Sequence, residues 1–209
     1  MCTCGDSCWA ACVEFEETAL GHEQRLQARL VNDADDFVIC CRGTAEQAML
    51  TMRDLMTRIK LTVNETKTKL CRLPEQTFDF LGDTFGRCYS RKTGRPYLGM
   101  RPSQKKVQKF CEALSETAAR DTTHLEPSVI VDALNRQLRG WRNYFRLGAV
   151  SKAYRSVDNH VTRRLRQWLC TKHKEPSRGI ARFPDAHLYE SLGLIKLRAR
   201  FTTSCVRIA

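Results

Sequence analysis

The chain has 209 residues, 42% of them apolar and 28% charged, with a net charge of +12. That length fits one domain, or one domain with a smaller appendage, and it excludes a membrane protein of the helical kind, because no apolar run approaches the ~20 residues a spanning helix needs. The charge is lopsided: residues 1–86 carry 9 Lys/Arg against 14 Asp/Glu, a net of −5, and residues 87–209 carry 26 against 9, a net of +17. A basic half of that size implies a polyanionic partner, most simply nucleic acid, with an ordinary solvated surface as the bland alternative.

Residues 1–27 read as an atypical lead-in. They lack the basic leader and apolar stretch of a signal peptide. Of eleven cysteines, Cys2, Cys4, Cys8 and Cys12 cluster here. Their spacing lacks the paired C-x2-C knuckles of a zinc site, so a metal is the less favoured of two open readings. Most later cysteines fall in apolar periodic segments, which fits a reducing, cytoplasmic setting.

Residues 28–33 and 36–41 are two short strand candidates around a polar tip, Asp33-Ala34-Asp35-Asp36. A helix follows over about 44–59, with Thr44 and Gln47 spaced as a capping box. Its apolar face is Ala48, Met49, Met52, Leu55, Met56 and Ile59. Lys67–Leu73 reads as a further strand, and residues 77–85 as a hairpin around Leu81-Gly82. Residues 28–86 therefore predict an α+β unit with a mostly antiparallel sheet. Residues 87–102 form a basic Gly/Pro linker or β-excursion.

From residue 103 the period becomes helical. Ser103 caps a helix to about 119, with Val107, Phe110, Cys111, Leu114 and Ala118 inward. Pro127 opens a second at its tolerated first position, with Val129, Ile130, Leu134, Leu138, Trp141 and Phe145 inward. A third runs over about 151–170 on Tyr154, Val157, Val161, Leu165, Trp168 and Leu169. Such helices bury one another as a bundle. Residues 171–186 read as a polar loop, and Leu188–Leu197 packs back.

Two features carry chemistry. Adjacent carboxylates Asp35 and Asp36 on a tight turn repel each other, and a divalent cation removes that repulsion. A hard oxygen site suits Mg²⁺, and paired ions stabilise the attacking and leaving oxygens of nucleotidyl transfer. A solvated acidic turn is the plain alternative. The second feature is RQLRGWRNYFR over residues 136–146, in which Arg136, Arg139, Arg142 and Arg146 recur at helical spacing. Arginine faces grip phosphate, and exposed aromatics stack on unpaired bases. Trp141 and Phe145 read rather as core. Arg163, Arg164, Lys172 and Lys174 extend the basic surface.

These stretches resemble group II intron reverse transcriptase/maturases. LVNDADDFVICCR (30–42) is similar to the polymerase core, NETKTKL (64–70) to the next palm motif, and FDFLGDTF (78–85) to the primer-grip hairpin. LNRQLRGWRNYFRLG (134–148), RRLRQWLCTKHK (163–174) and LYESLGLIKL (188–197) resemble the maturase, or thumb, domain. The resemblance implies a partial palm followed by an all-α RNA-binding bundle, with residues 28–86 and 103–209 as the two parts. It implies RNA-directed DNA polymerase chemistry: Asp35 and Asp36 as Mg²⁺ ligands, Lys67 near the nucleotide phosphates, and Phe80, Leu81 and Gly82 at the primer end. The implied partners are intron RNA or a template–primer duplex, DNA, and a separate chain supplying fingers and N-terminal palm. Asp33 stands where the family has an aromatic residue. The chain alone is therefore expected to be inactive as a polymerase, and the rival reading is a non-catalytic splicing cofactor or a decayed fragment.

Overall fold

A computed structural model describes residues 25–33, 36–90, 92–176 and 179–198. It is mixed α/β, with two small antiparallel sheets and several helices. Contacts divide the chain into two compact units after Arg72. The cysteine cluster of residues 2–12 lies outside the described residues.

In the first unit, β1 (Ala28–Asp33) pairs antiparallel with β2 (Asp36–Cys41). Helix α1 (Ala45–Arg58) buries Ala48, Met52, Leu55 and Met56, spaced four, three and one apart so that they fall on one stripe. Against that stripe pack Leu30, Phe37 and Ile39. The register pairs Leu30 with Ile39, so strand alternation turns these side chains to one face and Val31, Asp33, Asp36 and Val38 to the other.

Two expectations fail in this unit. The capping box does not form, because the Thr44 hydroxyl donates to the Leu26 carbonyl (2.7 Å) and no cap bond to the helix is made. Lys67–Leu73 is not a strand. Asn64 collects the local donors instead: its carbonyl accepts from Lys67 N (3.1 Å) and Thr68 N (3.0 Å), and its side chain accepts from the Thr66 hydroxyl (2.7 Å). An Asx-centred turn has satisfied backbone groups that a strand would need free for pairing.

The second unit opens with a three-stranded meander, β3 (Phe78–Phe80), β4 (Asp83–Tyr89) and β5 (Pro96–Pro102). Residues 87–102 are thus the β-excursion, not an extended linker. Between β3 and β4, Leu81 (φ 52) and Gly82 (φ 89) both have positive φ, the two-residue turn whose twist matches flanking strands.

Three helices follow. Helix α2 (Gln104–Thr117) starts at Ser103, whose hydroxyl accepts from Lys106 N (3.3 Å). Helix α3 (Pro127–Tyr144) starts with proline, where the missing N–H costs nothing. Helix α4 (Ser151–Lys172) is the longest. Leu114, Leu134, Leu138, Val157, Val161 and Leu165 are fully buried between them. Val129 does not join this core and stays 50% exposed, because Ile130, Val131 and Leu134 set the buried stripe and leave Val129 on the solvent side of the first turn. Gly148, in the turn after α3, sits against β5: a Cβ there would lie 2.3 Å from the Met100 carbonyl. The same carbonyl accepts from Ala149 N (2.8 Å).

The C-terminal segment packs back through Leu188, Leu194 and Leu197. Two buried polar side chains hold its backbone. Asn135 donates to the Gly193 carbonyl (2.9 Å) and accepts from Ile195 N (2.9 Å). Asp158, 2% exposed, accepts from Leu197 N (2.9 Å) and Arg198 N (3.4 Å). Burial raises the Asp158 pKa, and those two N–H groups with Arg198 and Lys196 pull it back.

Candidate nucleic-acid interface

Helix α3 decides which arginines face solvent. With 3.6 residues per turn, the buried stripe through Leu134, Leu138 and Trp141 leaves Arg136 and Arg139 on the far side. Both are exposed, as is Arg146 just past the helix end. Arg142 falls at the stripe's edge and is half-buried near Tyr154. Burial raises the Tyr154 pKa and Arg142 lowers it; the Tyr154 hydroxyl donates to the Phe145 carbonyl (2.6 Å).

The aromatics interleaved with these arginines divide. Trp141 stacks on Phe110 (centroids 5.1 Å apart, planes 5° apart) and meets Phe145 at 4.8 Å and Tyr154 at 5.8 Å. Trp141 and Phe145 are core. Tyr144 is exposed, and its hydroxyl donates to the Leu81 carbonyl (2.8 Å).

That bond anchors the β3–β4 tip. The neighbouring Gly82 carbonyl accepts from Ser103 N (2.9 Å), and a Cβ on Gly82 would lie 3.1 Å from the Lys106 side chain. Phe80 is half-buried and Leu81 exposed at this tip. The turn is thus held between the start of α2 and the end of α3.

On α4 the cations also divide. Arg163 is exposed. Arg164 donates to the carbonyls of Ser115 (3.0 Å) and Ala118 (3.3 Å) at the end of α2, where a cation meets the negative end of the helix dipole. Lys172 donates to the carbonyls of Thr123 (3.2 Å) and Leu125 (2.8 Å) beside the short helical turn Asp121–His124. Lys174, beyond the helix, is exposed. Arg136, Arg139, Arg146, Arg163 and Lys174 are therefore exposed cations, whereas Arg164 and Lys172 also serve the fold.

A groove between α2 and α4 brings Ser115 and His160 together, Oγ to Nε2 at 2.8 Å. The Ser115 hydroxyl also donates to the Cys111 carbonyl (2.9 Å), an arrangement that suits the His160 tautomer carrying its proton on Nε2. Burial, then Arg163, lowers the His160 pKa and keeps the ring neutral near pH 7.

In the first unit, Asp33 and Asp36 face each other across the hairpin end and are exposed, and Lys67 is exposed. Asp35 lies outside the described residues. Among the described residues no group of three or more His, Cys, Asp or Glu is placed to hold a metal ion.

Residues 107–182, from the first turns of α2 through α4 and the loop beyond, match the family model of the group II intron maturase-specific domain. That stretch is what the chain shares with group II intron maturases. No curated protein matches it. The matched domain holds Trp141, the α3 arginines and Arg163; the β3–β5 meander precedes it. None of the described helices is long and apolar enough to cross a membrane. Sequence reasoning missed Asn135 and Asp158 as ties for the C-terminal segment. The one signal was a polar residue at a core position of an otherwise apolar stripe, at both sites.

Proposed function

We propose that the chain is a group II intron reverse transcriptase/maturase segment that binds intron RNA through its helical unit, with residues 28–86 as palm and 103–209 as thumb. The maturase-specific match over residues 107–182 carries this reading. The exposed arginines of α3, with Arg163 and Lys174 in the same matched stretch, supply the polyanion-binding chemistry. Among the described residues six cysteines are free thiols, Cys88, Cys111 and Cys170 among them, which suits a reducing cytoplasm.

Such a surface releases counterions when it meets phosphates. Binding to a structured intron RNA should therefore weaken linearly on a log–log salt plot, with a slope of about −0.7 to −0.9 per phosphate contact. A filter-binding titration across salt reads this directly. Affinity that is absent at low salt, or flat with salt, would sink the proposal.

The polymerase half of the reading is supported by the resemblance of residues 30–42, 64–70 and 78–85 alone. Mg²⁺ would be held by Asp35 with Asp36, and completion of the site would need carboxylates from another strand. This chain alone is expected to give no primer extension on poly(rA)/oligo(dT) with Mg²⁺. Incorporation that vanishes in Asp35→Ala would contradict that expectation.

A further inference from the structure

The β4–β5 ribbon lies outside the matched domain, and its surface is unusual for a solvated β-hairpin. The register pairs Arg87 with Leu98 and Tyr89 with Pro96, so these four side chains share one face. Tyr89 is 63% exposed and Leu98 60%. A face turned to water is ordinarily polar, and a long apolar edge ribbon is ordinarily covered or broken by charge. Beyond Asp83 at the start of β4, the charge here has one sign. Residues 84–111 contain eight Lys/Arg and no Asp/Glu. Lys92 and Arg95 stand exposed in the ribbon's tip, closed by Ser90 N to the Arg95 carbonyl (2.9 Å) and Gly94 N to the Ser90 carbonyl (2.8 Å). Among the described residues, no carboxylate pairs with Arg87, Lys92 or Arg95.

We infer that this ribbon is a second RNA contact, which takes an unpaired stretch: Tyr89 and Leu98 pack on a splayed base while Arg87, Lys92 and Arg95 meet the flanking phosphates. The inference rests on the reading that the second unit binds RNA. An unpaired strand is favoured over a duplex because a tyrosine face needs a base out of its stack, and A-form grooves do not offer one. Nucleic acid is favoured over a protein partner by charge complementarity, since 28 residues without one acid suit a continuous polyanion.

The test uses the full chain and two probes in fluorescence anisotropy: single-stranded oligo(U) and a fully paired RNA hairpin. Tyr89→Ala should weaken oligo(U) binding by about tenfold, the scale of one lost base stack, and change hairpin binding little. Tyr89→Phe, which keeps the ring, should bind as the parent does. Joint change of Arg87, Lys92 and Arg95 to Gln should flatten the oligo(U) salt slope by about 2. Parent-like oligo(U) binding by Tyr89→Ala, or a loss in Tyr89→Phe as large as in Tyr89→Ala, would overturn the inference and leave the face to a protein partner. Those results leave general RNA binding standing. A parent chain that binds neither probe would instead remove the functional reading, and this inference with it.

Discussion

Trp141→Ala should lower the stability of the helical unit by about 3–5 kcal/mol, the usual cost of truncating a buried aromatic. The ring is 9% exposed and touches rings from three places: Phe110 on α2, Phe145 after α3 and Tyr154 on α4. Removing it opens a cavity where all three helices meet. The neighbours are fixed by their own bonds, notably Tyr154 to the Phe145 carbonyl, so collapse into the space is limited. Since whole domains are stable by only about 5–15 kcal/mol, such a loss takes a large share of the total. Urea unfolding of the full chain, followed by far-ultraviolet circular dichroism, measures it. A variant with the parent midpoint and weakened RNA binding would mean that Trp141 is a stacking platform and not a core residue.

The opposite outcome is expected for the solvent side of the same helix. Changing Arg136, Arg139 and Arg146 together to Ala should weaken binding to structured intron RNA by well over tenfold, with a flatter salt slope, since each arginine contact is charge-assisted. The unfolding midpoint should barely move, because all three side chains are exposed and surface changes of this kind usually stay within about 0.5 kcal/mol. Arg142 is left intact because it is half-buried beside Tyr154, so its removal would mix packing with binding. Parent-like affinity in the triple variant would show that the α3 arginines are an ordinary solvated face.

Much of the architecture was legible because period alone carries it. The apolar spacing from Leu114 to Leu169 specified three amphipathic helices, and Pro127 and Ser103 marked their starts within a residue. Leu81-Gly82 announced a tight turn, and the two strand candidates over 28–33 and 36–41 a hairpin. The likeness of residues 107–182 to the maturase-specific domain was legible for a similar reason: the RQLRGWRNYFR stretch combines a core stripe and an arginine side, and both constraints act locally.

Where the sequence misled, the deciding partner lay far along the chain. Thr44 has the chemistry of a cap, but its proton goes to Leu26, 18 residues away. Lys67–Leu73 has strand composition, yet composition cannot supply a neighbouring strand, and Asn64 closes a turn first. Arg163 and Arg164 are neighbours in sequence with the same charge. Only the approach of α2 to α4 decides that one faces water while the other caps carbonyls 46 and 49 residues away. Asn135 and Asp158 likewise look misplaced on apolar stripes until the C-terminal segment arrives with its backbone N–H groups. Helical period is written in residues three and four apart, and so it survives in the sequence; hydrogen-bond partners 18 to 60 residues distant are set only when the helices pack.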